Sequence, residues 1–81
     1  MNKKEIFPKV VDILRDIFSN DRLKVSNETN ANDIEAWDSL NHINIVSVVE
    51  REFNIKFALG ELADLQNISN MVDLIFEKTN K

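Results

Sequence analysis

The apolar positions of this chain fall into three spaced sets. The first is Ile6, Val10, Ile13, Leu14 and Ile17, whose i, i+4, i+7, i+8, i+11 spacing predicts one helix over 3–18. Pro8 comes early enough to fall near the first turn, where a missing N–H costs least. Ser19-Asn20-Asp21 reads as the stop. The second set is Ile45, Val46, Val49 and Phe53, which fall within an arc of about 100° at about 100° per residue. They predict a helix from Ser39 to Phe53 with that arc turned to the core, Leu40 nearly opposite it and Ile43 at its margin. The third set, Val72, Ile75 and Phe76, is the stripe of a last helix starting at Ser69 or Asn70, with Lys78 and Lys81 suited to the negative end of its dipole.

Between these sets lie two connections. Residues 19–37 form a long loop, uncommon in a small domain unless it is packed or functional. Leu23 and Val25 can anchor it, 26–30 is polar and turn-rich, and 31–34 can make a short helical turn. After Phe53, Asn54-Ile55-Lys56-Phe57 reads as an extended link, and Gly60 breaks the pattern. Residues 61–65 then give a short third helix with Leu62 and Leu65 inward. The expected fold is all-α, a four-helix bundle with a long first loop and a short third helix.

Composition narrows the function classes. Eighty-one residues make one domain, expected to span 1–81, that buries roughly 60–65% of its unfolded surface, enough for a core but not for a deep cleft. With 43% hydrophobic and 30% charged residues the chain reads as globular rather than disordered. Without Cys there are no disulfides, thiolate metal sites or thiol nucleophiles, and the expected compartment is the cytoplasm. No apolar run approaches the roughly 20 residues of a membrane span, and the start does not read as a signal peptide. The net charge of −4 is uneven. Segment 33–53 alone carries Asp33, Glu35, Asp38, Glu50 and Glu52 against Arg51. That field disfavours nucleic acid and anionic membranes and favours basic partner surfaces.

The acidic segment surrounds the run Trp37-Asp38-Ser39-Leu40. Asp38 is placed to cap the second helix, which puts Ser39 in its first turn, where a hydroxyl is exposed. The capping box is incomplete because the third helical position is Asn41 rather than Glu or Gln. His42, the single histidine, invites a serine-hydrolase reading. Nucleophile, base and orienter on one helical turn do not form the required relay, and His42 is expected to pack against the loop or the third helix. Asp33, Glu35 and Asp38 lack the calcium-loop pattern with its central Gly, so no metal site is expected. Trp37 is expected to pack at the loop–helix junction.

With these residues in view, the chain resembles the acyl carrier protein family over nearly its whole length. The resemblance rests on Asp38-Ser39-Leu40 followed about one helix later by Glu50-Arg51-Glu52-Phe53-Asn54-Ile55, between a first helix with a long loop and a short helix with a last one. It implies that Ser39 carries 4′-phosphopantetheine, attached covalently from coenzyme A by a phosphopantetheinyl transferase. Asp38 is then helix cap and transferase contact. Acyl groups would ride on the arm as thioesters, so the chain is a carrier and not an enzyme. Leu40, Ile43, Asn44 and Ser47, with Glu35 and Glu50, would dock acyl-loading and acyl-transfer enzymes through basic and apolar pockets. A monomer is expected, with no nucleic acid and no membrane insertion. Asn41 and Asn44 stand where many members have an acid, and Arg51 interrupts the acidic run. The resemblance implies a discrete carrier for fatty-acid, polyketide or another specialised acyl-transfer pathway, and these departures point, within that range, to a dedicated carrier with fewer partners. The competing readings are a peptidyl or aminoacyl carrier and an unmodified helical interaction module.

Overall fold

The computed structural model describes residues 2–62, 65 and 67–80, with the backbone alone at 59 and 62. Its elements are α1 (Lys3–Ile17), a 3-10 turn (Ala31–Asp33), α2 (Ser39–Phe53), α3 (Leu59–Leu62) and α4 (Ile68–Thr79), with no strand among the described residues. Three helices are long and α3 is a single turn. α1 packs against both α2 and α4. α1 and α2 contribute the stripes read from the sequence, with Ile17 half-buried at the end of α1, whereas in α4 Val72 and Ile75 are buried as expected, Phe76 is half-buried, and Ile68 and Met71 join the core from outside the predicted stripe. Ile6, Val10 and Leu14 meet Ile45 and Val49, with Ile68, Met71 and Ile75 from α4, and all eight are essentially sealed from solvent. Burying each of these side chains contributes on the order of 1.5–3 kcal/mol.

The helix ends explain the boundaries. Asn2 caps α1, its side chain accepting from the Glu5 N–H at 2.9 Å. Pro8 sits in the second turn rather than the first. It removes the bond the Lys4 carbonyl would have received, yet the helix runs on because Pro8 is exposed and its neighbours Ile6 and Val10 are buried. At the other end Ser19 is left-handed (φ 52°), and its N–H reaches the Asp16 carbonyl while the Asn20 N–H reaches that of Arg15. This paired closure stops the helix as the polar triplet predicts. Asn54 closes α2 the same way (φ 54°), with the Ile55 N–H donating to the Glu50 carbonyl.

Two expected boundaries are corrected. α4 starts at Ile68, not at Ser69 or Asn70, because Asn67 supplies the cap, accepting from the Asn70 N–H at 2.8 Å. The third helix spans Leu59–Leu62 instead of 61–65, and Gly60 lies inside it. Glu61 is the cause. Its carboxylate accepts from the Ala58 N–H at 2.7 Å, fixing the helix start before the glycine. Leu65 is buried as expected but outside the helix. The Leu62 side chain and residues 63 and 64 lie outside the described residues. Glu61 also pairs with Lys78 at 2.8 Å, tying α3 to the end of α4, and Lys78 lies 5.8 Å from the centre of the Phe57 ring. Lys81 lies outside the described residues.

The long loop is packed. Leu23 and Val25 rest half-buried on the core, and Ile34 and Trp37 are buried in it. The expected turn at 31–34 is the 3-10 turn, closed by a reciprocal cap in which Asn30 accepts from the Asn32 N–H and Asp33 accepts from the Asn30 N–H. The Ile68 N–H donates to the Thr29 carbonyl and the Ser69 N–H to that of Asn27. Main chain at the start of α4 thus holds the loop, which delivers residues 34–38 to the start of α2.

Candidate functional site

The site is the start of α2. Asp38 is its cap, with extended backbone and a carboxylate accepting from the Asn41 N–H at 2.8 Å. The first bond along the helix runs from the His42 N–H to the Asp38 carbonyl. The N–H groups of Ser39 and Leu40 come before it and have no partner within the helix. Ser39 is the first helical residue and exposed, and its hydroxyl makes no hydrogen bond among the described residues.

The turn before Ser39 is held by side chains whose partners the local sequence does not announce. Asn41 donates its amide to the Ala36 carbonyl at 2.7 Å and accepts from the Asn44 amide at 3.4 Å. A carboxylate at 41 could not make the first of these bonds. Where the resemblance led to the expectation of an acid, Asn41 therefore forms a clamp across the loop–helix corner. Trp37 packs at that corner as expected, 7% exposed, with its ring 6.1 Å from those of Phe18 and His42. Its indole N–H donates to His42 Nδ1 at 3.1 Å. His42 thus packs on the loop, and this bond assigns the imidazole proton to Nε2. With Nδ1 occupied and Nε2 protonated, His42 has no lone pair left to take a proton from Ser39, so this geometry does not make a hydrolase.

The expected docking residues divide. Leu40 and Ile43 are the exposed large hydrophobics of the described residues, at 68% and 61% exposure, so Ile43 stands clear of the core margin predicted for it. Asn44, Ser47 and Glu35 are exposed as well. Glu50 is half-buried, and its carboxylate accepts from the Phe57 N–H at 2.8 Å. That bond holds the link after α2, a task no local pattern around Glu50 announces. Beside Ser39 an open groove of about 690 Å³ is lined by Trp37, His42, Ile43, Leu65 and the 3-10 turn.

These features fit a phosphodiester-linked arm. An exposed hydroxyl offers the ester oxygen, and the unpaired N–H groups at the positive end of the helix dipole face an anion attached there. The groove leaves apolar wall within reach of an attached chain. No group of three or more His, Asp or Glu side chains converges as a metal site among the described residues. No helix among them is long and apolar enough to cross a membrane.

The chain is similar to known proteins over nearly its whole length. Residues 8–75 match the family described as the phosphopantetheine attachment site. The chain is 35% identical over 79 residues to the acyl carrier protein of Guillardia theta, covering 96% of each. It is 32% identical over 80 residues to that of Petrotoga mobilis, covering 99% of this chain and 94% of the relative. Its fold is similar, with a TM-score of 0.84 and 43% identity, to the solution NMR structure of the holo acyl carrier protein from Geobacter metallireducens, over 89% of this chain and 83% of that one.

Proposed function

The chain belongs to the acyl carrier protein family, whose prosthetic group is a covalent 4′-phosphopantetheine, and on that premise we propose that Ser39 is the attachment point of the arm and that the chain carries acyl groups without catalysing their chemistry. The observation that carries this reading is the exposed Ser39 hydroxyl in the first turn of α2, directly after the Asp38 cap. In the attachment step the Ser39 oxygen bonds to the pantetheine-side phosphorus of coenzyme A. The bond from that phosphorus to the bridging diphosphate oxygen breaks, adenosine 3′,5′-bisphosphate leaves, and the hydroxyl proton is released. The arm supplies a terminal thiol for thioesters, which a chain without Cys lacks.

Asp38 fixes the helix start so that the Ser39 hydroxyl points outward, and it offers its charge to a transferase. Trp37 and Asn41 hold the corner rigid. Leu40, Ile43, Asn44 and Ser47, with Glu35 beside them, form the face met by acyl-loading and acyl-transfer enzymes. We assign the chain to a cytoplasmic fatty-acid, polyketide or other specialised acyl pathway, acting as a single carrier domain and as a monomer. Tethering raises the effective concentration of the acyl group at a partner's active site.

Incubation with coenzyme A and a broad-specificity phosphopantetheinyl transferase, read by intact mass, tests the assignment. Wild type should gain one phosphopantetheine and Ser39→Ala none, with both folded by circular dichroism. A gain that survives in Ser39→Ala would move the site elsewhere.

A further inference from the structure

The outer face of α2 is not the acidic surface that the charge of segment 33–53 predicts. Asp33 lies in the loop, where its carboxylate closes the 3-10 turn, and Glu50 is half-buried, its carboxylate turned to the Phe57 N–H and still charged. Glu52 falls on another side of the helix. By helical geometry Leu40, Ile43, Asn44, Ser47 and Arg51 share an arc of about 100°, with Arg51 about 16 Å along the axis from Leu40. Along that stripe the order is therefore acid (Glu35 and Asp38, both exposed), apolar and neutral (Leu40, Ile43, Asn44, Ser47), then cation. Arg51 is exposed and makes no ion pair among the described residues. A second cation joins it. An open groove of about 390 Å³ at the end of α2 is lined by Ser47, Glu50, Arg51, Asn54, Ile55 and Lys56, so that two cations outweigh the one carboxylate, which is bonded to the Phe57 N–H.

We propose that Arg51, supported by Lys56, is a specificity-determining residue. It selects partner enzymes whose docking surface is basic only beside the active-site mouth, apolar in the middle and acidic at the far end. The proposal rests on Ser39 as the attachment point, because that residue fixes which end of the stripe faces the partner's active site. Charge complementarity identifies the occupant. A partner carboxylate near Arg51 and Lys56 pairs with them, whereas a groove basic along its whole length meets a net positive end there, and such repulsion is a principal means of rejecting wrong partners.

The test uses the holo protein, prepared with a broad-specificity transferase, as acyl acceptor for a fatty-acyl carrier ligase whose docking groove is uniformly basic. Arg51→Glu should raise kcat/KM about tenfold at low salt, mainly through KM, and Arg51→Ala about threefold, with both gains fading as salt screens the charges. Glu52→Gln, off the stripe, should change neither. Replacing the far-end arginines of that ligase's groove with glutamate should reverse the preference in favour of wild type. Equal kcat/KM for wild type and Arg51→Glu at low salt, or a gain untouched by salt, would overturn the proposal while leaving Ser39 modified. Absence of phosphopantetheine on wild type would remove the Ser39 reading and this one with it. Circular dichroism checks folding, and Arg51→Gln replaces Arg51→Glu if the latter unfolds.

Discussion

Ile45 and Ile43 are two residues apart on one helix, yet Ile45 is 0% and Ile43 61% exposed. The same side chain serves two ends. On the inner face Ile45, Val46, Val49 and Phe53 are buried against the rest of the core. On the outer face Leu40 and Ile43 leave apolar area in water that nothing among the described residues covers. A stability argument accounts for the first face and gives no reason for the second, and an exposed apolar pair beside an exposed serine at a helix start is where an interaction role belongs.

Substitutions should separate the two faces. The largest effect on the fold is expected from Ile45→Ala, which removes buried methyl groups and leaves a cavity. Urea denaturation should show a loss of about 2–5 kcal/mol, while the protein still folded accepts phosphopantetheine. Asp38→Ala acts at the boundary between the faces. Losing the cap should cost about 0.5–2 kcal/mol in thermal denaturation. Asp38→Asn, which keeps the capping oxygen, should recover most of that loss, and equal losses for the two would mean that charge rather than capping is what Asp38 contributes. Asn41→Asp exchanges the amide that holds the Ala36 carbonyl for an acid more usual in the family. A loss of about 0.5–1.5 kcal/mol is expected, and an unchanged melting temperature would show that the clamp is idle. The smallest effect on stability belongs to Ile43→Ser, within about 0.5 kcal/mol. That same variant should slow acyl transfer from a partner enzyme. If it instead destabilises the fold as Ile45→Ala does, the contrast between the faces fails.

The inner face was readable from the sequence because helical periodicity is a local signal. Val10, Leu14, Ile45, Val49 and Ile75 each appear at the predicted spacing and are each buried. Asp38 as cap and Ser39 as first helical residue were equally legible, since a cap and the N–H it serves are three positions apart. What sequence missed depends on where chain segments meet. Glu50 reads as a surface acid until the chain turns back through left-handed Asn54 and brings the Phe57 N–H to it. Asn41 reads as a lost acid until the Ala36 carbonyl lies opposite. The start of α3 was placed too late because glycine was weighed as a breaker, while Glu61 reaching back to Ala58 settles the boundary. The outer face was half legible: Leu40 was placed correctly by angle, and Ile43 was drawn too close to the core.

The stitches between the long loop and α4 join only backbone atoms, the N–H groups of Ile68 and Ser69 to the carbonyls of Thr29 and Asn27. Such a latch makes little demand on which side chains those four residues carry, proline at the donor positions 68 and 69 excepted. Mutations at 27 and 69, whose side chains are not sealed in the core, can therefore accumulate over generations without the loop coming loose. The corner that presents Ser39 is buffered against drift in the segment leading to it, and selection is left to act on the few positions that face outward.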